Sequence, residues 1–245
     1  MSHKRSKDTL YATPREPLAD FAFDADVAAV FPDMIRRSVP GYGTLSGLLG
    51  LIAGEYAQAD SRLYDLGCSL GAAALAMRRR ITQTGCRIVA IDTSAAMVER
   101  CRENIEADNA PTPVDVLCAD IRDTAIERAS VVSMNFTLQF IEQQQRLPLL
   151  RRIHSGLLHG GVLVLAEKLR FPDVAEQALQ ERLHLAFKRA NGYSELEISQ
   201  KRTALENVLL PDTADEHRSR LREAGFSQVH LWFQSFNFAA FIAVR

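Results

Sequence analysis

The chain lacks any excess of charge of one sign. Its 29 Lys and Arg stand against 30 Asp and Glu, a formal net charge of −1 at neutral pH. A protein that grips a nucleic-acid backbone ordinarily carries a basic excess or stripe, and the polar start at 4–7 is too short to make one. Stable RNA or DNA binding is therefore not expected. Long apolar runs are missing as well. The most apolar stretch, 45–53, is interrupted by Gly47 and Gly50 and falls far short of the roughly 20 residues that span a bilayer. The first residues show no charged-then-apolar secretory pattern, so a cytoplasmic location without membrane attachment is expected. The four cysteines, at 68, 86, 101 and 118, form no C-x-x-C pair. That fits free thiols in a reducing compartment rather than a disulfide frame or a zinc site. No H-E-x-x-H occurs among the six scattered histidines, and no metal is expected. Repeats and low-complexity tracts are absent too.

What is present is an ordinary globular composition, 47% hydrophobic and 24% charged over 245 residues, enough for one full core with an appended piece. Residues 1–20 read as a loosely held polar lead-in. A helix is expected over 21–35, broken by Pro32, and a second over about 43–58 after the turn Pro40-Gly41-Tyr42-Gly43. Strands and helices then alternate: strands at 62–66, 86–92, 114–117, 129–135 and 162–166, with helices between them, one N-capped by Ser94. Such alternation implies right-handed crossovers and a parallel sheet. Residues 171–217 break the rhythm as a helical, charge-rich insertion or lid. Helix returns at about 215–224, and 229–236 with 238–244 form a closing antiparallel pair. The expected architecture is a doubly wound α/β domain over 21–245.

The chemistry-bearing residues lie at strand ends. Asp65-x-Gly67-x-x-x-Gly71, with Cys68 and Ser69 inside it, follows the first strand and opens a helix. Glycine there lets the backbone approach a ligand closely, and the helix N-terminus offers unpaired N–H groups. The loop is not a P-loop, and Ser69 holds the place of the middle glycine of G-x-G-x-x-G. Asp92 lies 25 residues beyond Gly67 at the next strand tip, where a carboxylate accepts from both hydroxyls of a ribose. Asp120-Ile121 ends the next strand again, offering an acceptor for an adenine amino group and an apolar surface for its ring. One strand-end Asp is ordinarily a helix cap. Three in succession, Asp65, Asp92 and Asp120, describe a nucleoside site. Asn135 closes the fourth strand beside Phe136 and Phe140, and suits a site that orients a sulfonium and excludes water. Tyr42 is a packed tyrosine or a partner of the donor's amino-acid end. Arg202 reads, on spacing alone, as part of a solvated helix face. Cys68, with no partnering histidine, reads as a small packing residue.

These residues resemble the class I methyltransferases. More closely, the chain resembles the carboxy-S-adenosyl-L-methionine synthase family. The carrying stretches are 30–42, 64–72, 110–116, 135–140 and above all Phe187-Lys188-Arg189-Ala190-Asn191-Gly192-Tyr193-Ser194-Glu195-Leu196-Glu197-Ile198-Ser199-Gln200-Lys201-Arg202. The likeness runs from about residue 20 to the end.

The resemblance implies a Rossmann-like seven-stranded sheet. It implies that S-adenosyl-L-methionine and prephenate are converted to carboxy-S-adenosyl-L-methionine and phenylpyruvate. It also implies a homodimer, and a product consumed by a separate tRNA carboxymethyltransferase in wobble-uridine modification. The implied donor-binding residues are Tyr42, Gly67, Cys68, Ser69, Asp92, Asp120, Ile121, Asn135 and Arg202. Thr93 stands where relatives carry Asn, and its backbone contacts adenine. In the family's route, hydroxide released from prephenate removes a proton from the sulfonium methyl, and the ylide captures carbon dioxide. The protein then supplies proximity, a dry pocket and a cation for the new carboxylate. Arg202 is the expected cation, because guanidinium binds carboxylate in a fork. Three other readings are a methyltransferase of a small molecule, a non-catalytic nucleotide-binding module, and a nicotinamide-dependent oxidoreductase, the last disfavoured by the missing middle glycine.

Overall fold

Aliphatic residues run almost unbroken through the central strands, the pattern of strands covered on both faces. In the computed structural model, which describes residues 7–14 and 20–245, these become β1 (Arg62–Leu66), β2 (Arg87–Asp92), β3 (Val114–Cys118), β4 (Ala129–Asn135) and β5 (Leu157–Lys168). They pair in parallel, and β6 (Gln228–Ser235) and β7 (Phe238–Val244) close the sheet antiparallel. The seven-stranded order is β3-β2-β1-β4-β5-β7-β6, as the doubly wound reading anticipates. Side chains alternate between two cores. Tyr64, Leu66, Ile91, Val132, Met134 and Leu165 face one way, and Leu63, Ile88, Ala90, Val131 and Val164 the other. One face is covered by α2 (Tyr42–Tyr56) and α3 (Ala72–Arg78), the other by α5 (Gln143–Gly156) and α8 (Ala214–Glu223).

The helices differ from their sequence outlines at the prolines. α1 spans Ala25–Ser38 and passes through Pro32 instead of breaking there. The missing N–H costs a hydrogen bond, but Val27, Val30, Phe31 and Met34 bury one face against Leu70 and Met97, and Asp24 caps the start by accepting from the Val27 N–H. Packing outweighs the local breaker. α5 likewise runs through Pro148. α4 (Ala95–Glu106) begins as its cap predicts, with Ser94 Oγ accepting from Met97 N. β5 runs two residues further than expected, to Glu167 and Lys168. Between β5 and α8 lie α6 (Val174–Ala190) and α7 (Glu195–Leu205), which pack on each other, α6 also reaching α1.

Part of the expected lead-in, 1–6 and 15–19, lies outside the described residues. Residues 7–14 are tied down rather than loose. Asp8 is 1% exposed: its N–H donates to Asp33, its carbonyl accepts from Arg37, and its carboxylate accepts from the Tyr193 hydroxyl at 2.5 Å. The Gln200 amide donates to the carbonyls of Tyr11 and Thr13.

A second buried charge joins the two halves of the chain. Arg146, fully buried on α5, donates to Asp212 Oδ2 at 2.5 Å, to the Ile141 carbonyl and to the Leu210 carbonyl. Removing one partner of a buried pair leaves the other uncompensated. Arg146→Met is expected to lower the unfolding free energy by about 3 kcal/mol, the low end of such losses because Arg220 still reaches Asp212. Denaturant unfolding checks this, and a change below about 1 kcal/mol would show that the pair contributes no more than a surface ion pair.

Candidate active site at the strand ends

In an open α/β sheet the crevice lies beyond the carboxyl ends of the strands, where their order reverses. Here that point falls between β1 and β4, and a cavity of about 530 Å³ opens there. Tyr42, Gly67, Cys68, Ser69 and Asp92 line it, as do Thr93, Asp120, Ile121 and Asn135. Nine residues singled out from sequence thus meet at one place.

The donor-type loop is built on close approach. Gly67 has φ +79°, and a Cβ there would lie 2.2 Å from Thr137 Oγ1. That hydroxyl donates to the Leu66 carbonyl, bracing the loop from below. Ser69 takes a left-handed φ of 46°, and its N–H donates to Asp92 Oδ2 at 2.9 Å. Asp65 is buried and accepts from the Ala74 N–H in the first turn of α3. Burial pushes its carboxyl up to about 7, against that hydrogen bond and with a further push from Asp92. Asp65 is thus both a cavity wall and the helix cap that a single strand-end Asp ordinarily is. Cys68 is buried in the core. Its thiol is pushed far up by the Cys101 contact and by burial, which keeps it protonated and unsuited to nucleophilic attack.

The next two tips differ in how free they are. Asp92 accepts from the Ser69 N–H with Oδ2 and from the Ser94 N–H with Oδ1, and it lines the cavity with acceptor capacity to spare. Burial raises its carboxyl. Asp120 is already forked by Arg122, with Nε 3.0 Å from both oxygens and Nη2 2.6 Å from Oδ2. The guanidinium holds Asp120 below the usual carboxylate range. A base amino group placed there shares the carboxylate with Arg122. Thr93 is exposed at the rim, and Ile121 is buried.

Asn135 has the clearest vacancy for a ligand. Its Nδ2 donates to Ser133 Oγ, while its Oδ1 is buried with no partner among the described residues. A buried orphan acceptor is costly, and a cationic or N–H-bearing ligand would satisfy it. Phe136 follows with φ 57° and lies 6.3 Å from the Tyr42 ring. Burial pushes the Tyr42 phenol up to about 12, so it stays a neutral donor. Phe21, Phe23 and Phe140 form an aromatic wall, with Phe23 edge-on to Phe140 at 5.4 Å.

Arg202 is not brought into this set. It lies exposed on α7, outside the cavity lining. The acidic neighbours are engaged elsewhere, Glu195 with Arg189 and Glu197 in a capping box with Ser194. Neighbouring helix residues diverge by about 100°, and it is Lys201 that faces the cavity, together with Lys168, Lys188 and His184. Sequence reasoning missed all four. Lys168 carried a signal, since it ends β5 as Asp92 ends β2, but the strand was drawn two residues short. Lys188 and Lys201 lie in charge-rich helices where only the fold separates the inward residues. Glu167, fully buried on β5, was missed as well. It accepts from the N–H groups of Thr137, Leu138 and Gln139, fixing the turn after β4. Burial pushes its carboxyl up to about 8, against those donors.

Gly67→Ala tests the loop geometry. The substitution forces a Cβ against Thr137 and a left-handed backbone costing roughly 1–2 kcal/mol. Donor affinity, read by calorimetry with S-adenosyl-L-methionine, is expected to fall at least roughly tenfold. Unchanged affinity would show that the ligand does not depend on this loop.

A family model described as a methyltransferase domain matches residues 63–161. Among solved structures, the fold is like that of a candidate S-adenosyl-L-methionine-dependent methyltransferase of Methanococcus maripaludis, at TM-score 0.60 and 19% identity over 95% of this chain and 97% of that one. It is also like human N-acetylserotonin methyltransferase in complex with S-adenosyl-L-methionine, at TM-score 0.59 and 15% identity over 99% of this chain and 63% of the human one. At these identities the likeness shows the fold alone. The carboxy-S-adenosyl-L-methionine synthase of Geobacter metallireducens is 58% identical over the full length of both chains. That of Klebsiella pneumoniae is 55% identical over 100% of this chain and 98% of its own. Agreement of that depth across the whole length places this chain in the carboxy-S-adenosyl-L-methionine synthase family, S-adenosyl-L-methionine-dependent enzymes built on a methyltransferase fold.

Proposed function

We propose that the enzyme converts S-adenosyl-L-methionine and prephenate to carboxy-S-adenosyl-L-methionine and phenylpyruvate. The observation that carries this reading is the full-length identity with carboxy-S-adenosyl-L-methionine synthases. The site is chemically suited to it. Asp92 takes the ribose hydroxyls, Ile121 and Asp120 the base, Asn135 and Tyr42 the amino-acid end. The aromatic wall limits water around the sulfonium methyl.

The chemistry needs little from the protein by way of acid or base. Prephenate breaks two bonds on aromatising, releasing carbon dioxide and hydroxide and leaving phenylpyruvate. Hydroxide takes one methyl proton and becomes water. The carbanion so formed, stabilised by the adjacent sulfur cation, forms a carbon–carbon bond to carbon dioxide and gives the carboxymethyl sulfonium. The protein holds the partners together and keeps the intermediates from escaping. α6 and α7, which supply one wall of the cavity, act as its lid. Arg202 then serves the new carboxylate, by folding over its own cavity mouth or from a second copy in a homodimer. The product supplies a tRNA carboxymethyltransferase, in a cytoplasmic pathway this near-neutral chain enters without holding RNA itself.

Two measurements test this reading. The small molecule retained through purification should be heavier than S-adenosyl-L-methionine by one carbon dioxide. Plain S-adenosyl-L-methionine, or its demethylated product, would instead favour methyl transfer to a small acceptor. For Arg202→Ala, affinity for the carboxylated ligand is expected to drop roughly tenfold or more with the plain donor little changed, and equal losses by calorimetry would remove Arg202 from the role.

A further inference from the structure

The cavity lining changes sign along the sheet. At the ends of β1, β2 and β3 it presents Asp65, Asp92 and Asp120. At β4 it presents neutral Asn135, and at the end of β5 it presents Lys168. α6 and α7 continue the basic side with Lys188 and Lys201. The acidic side matches a donor that carries a sulfonium and an ammonium. The donor's one anionic group, its α-carboxylate, matches at most one of these ammonium groups, so the basic side holds more cations than the donor answers.

Two of these ammonium groups have no partner. Neither Lys168 Nζ nor Lys188 Nζ makes a hydrogen bond or an ion pair with any described residue, although both side chains are largely withdrawn from solvent. Lys201 is better provided for, donating to Ser38 Oγ at 3.1 Å and lying 3.9 Å from Asp8 Oδ2. His184 adds no charge. Its Nε2 lies 2.8 Å from the Ser38 carbonyl, and burial lowers its pKa to about 3, leaving it neutral. The one other carboxylate acting on Lys168 is Glu181, exposed on α6. Gathering like charges with so little compensation is unfavourable without an anion between them.

We infer that Lys168 and Lys188, backed by Lys201, form the subsite for the retained carboxylate end of the second substrate, a small organic dianion. This deepens the proposed function and rests on it: prephenate carries two carboxylates. Placed there, the side-chain carboxylate that phenylpyruvate keeps meets the lysines at the β5 side, and the ring carboxylate that leaves as carbon dioxide lies toward the β4 end, next to the donor's methyl. The lysines are binding groups and take no proton from carbon.

Lys188 bears a mark of this arrangement. Burial, then Lys201, Lys168 and Arg202, push Lys188 down to about 7. A dianion beside it restores the charged form. Binding above neutral pH must therefore take up a proton, and affinity must fall as pH rises past about 7.

The test uses the full-length enzyme with Lys188→Met and Lys168→Met, each checked for an unchanged melting transition. With prephenate varied and S-adenosyl-L-methionine saturating, its KM is expected to rise roughly tenfold or more in each variant, the scale of one charge-assisted hydrogen bond. Donor affinity by calorimetry should stay within about twofold, and Lys188→Arg should recover much of the loss. Calorimetry of prephenate at pH 8 in buffers of different ionisation enthalpy should show proton uptake in the wild type and clearly less in Lys188→Met, where Lys201, itself lowered to about 8 by burial, still titrates. Unchanged prephenate KM in both variants, or equal losses for donor and prephenate, would overturn the inference. If the wild type makes no carboxylated product from prephenate, the functional reading fails instead. The subsite is then judged by titrating donor-loaded enzyme with malonate and succinate: lysine-dependent binding upholds a dianion site, and no binding overturns it.

Discussion

A single buried carboxylate sets the geometry on which the site depends. Glu167 accepts from three consecutive backbone N–H groups, those of Thr137, Leu138 and Gln139. This turn would otherwise bury unpaired donors after β4. Held there, Thr137 places its hydroxyl under the Leu66 carbonyl and against Gly67. The loop after β4 and the loop after β1 thereby become one rigid floor. Strand alternation supplies the rest. Because Glu167 turns toward the 138–140 turn, its neighbour Lys168 turns into the cavity. One residue braces the donor loop, and the next faces the second half of the pocket.

The strand order accounts for how one cavity would serve the two substrates of the proposed reaction, which differ in charge. In the order β3-β2-β1-β4-β5 the tips read Asp120, Asp92, Asp65, Asn135, Lys168 along one line. A ligand lying across these ends meets acceptors at one end and donors at the other. Orientation then follows from electrostatics before any specific contact forms, and the neutral amide at the centre marks where the two ligands meet. Burial strengthens every such interaction by lowering the local dielectric. The same burial pushes Asp65 up and Lys188 down toward neutrality, while Arg122 keeps Asp120 charged.

How much of this the sequence discloses depends on the kind of information involved. β2, β4 and β7 and the Ser94 cap follow from period and capping chemistry within one segment, and they appear where expected. The helices through Pro32 and Pro148 do not, because a local breaker is outweighed by packing that only the assembled core supplies. The acidic tips were legible since each ends a strand of recognisable pattern. Lys188 and Lys201 were not, since they sit mid-helix among other charges, and which side chain turns inward is decided by how α6 and α7 pack. Arg202 entered through family resemblance, and the fold sets it one helix step outside the cavity that Lys201 lines. The anchoring of Asp8 to Tyr193, Arg37 and Lys201 was hidden for the same reason: its partners lie up to 193 residues along the chain from Asp8.

Two of the five described non-glycine residues with left-handed backbone lie where these loops meet. Ser69 and Phe136 both hold left-handed backbone conformations without being glycine, each costing of order 1–2 kcal/mol. Both are held by a specific hydrogen bond. The Ser69 N–H donates to Asp92, and the Phe136 N–H to the Ala166 carbonyl at 2.6 Å. In each case the bond that fixes the strained residue comes from the adjoining strand end, β2 for one and β5 for the other. The loops therefore cannot relax independently of the sheet. Such strain persists only where the surroundings over-determine it, and here it lies beside Asn135, whose Oδ1 is buried with no partner among the described residues.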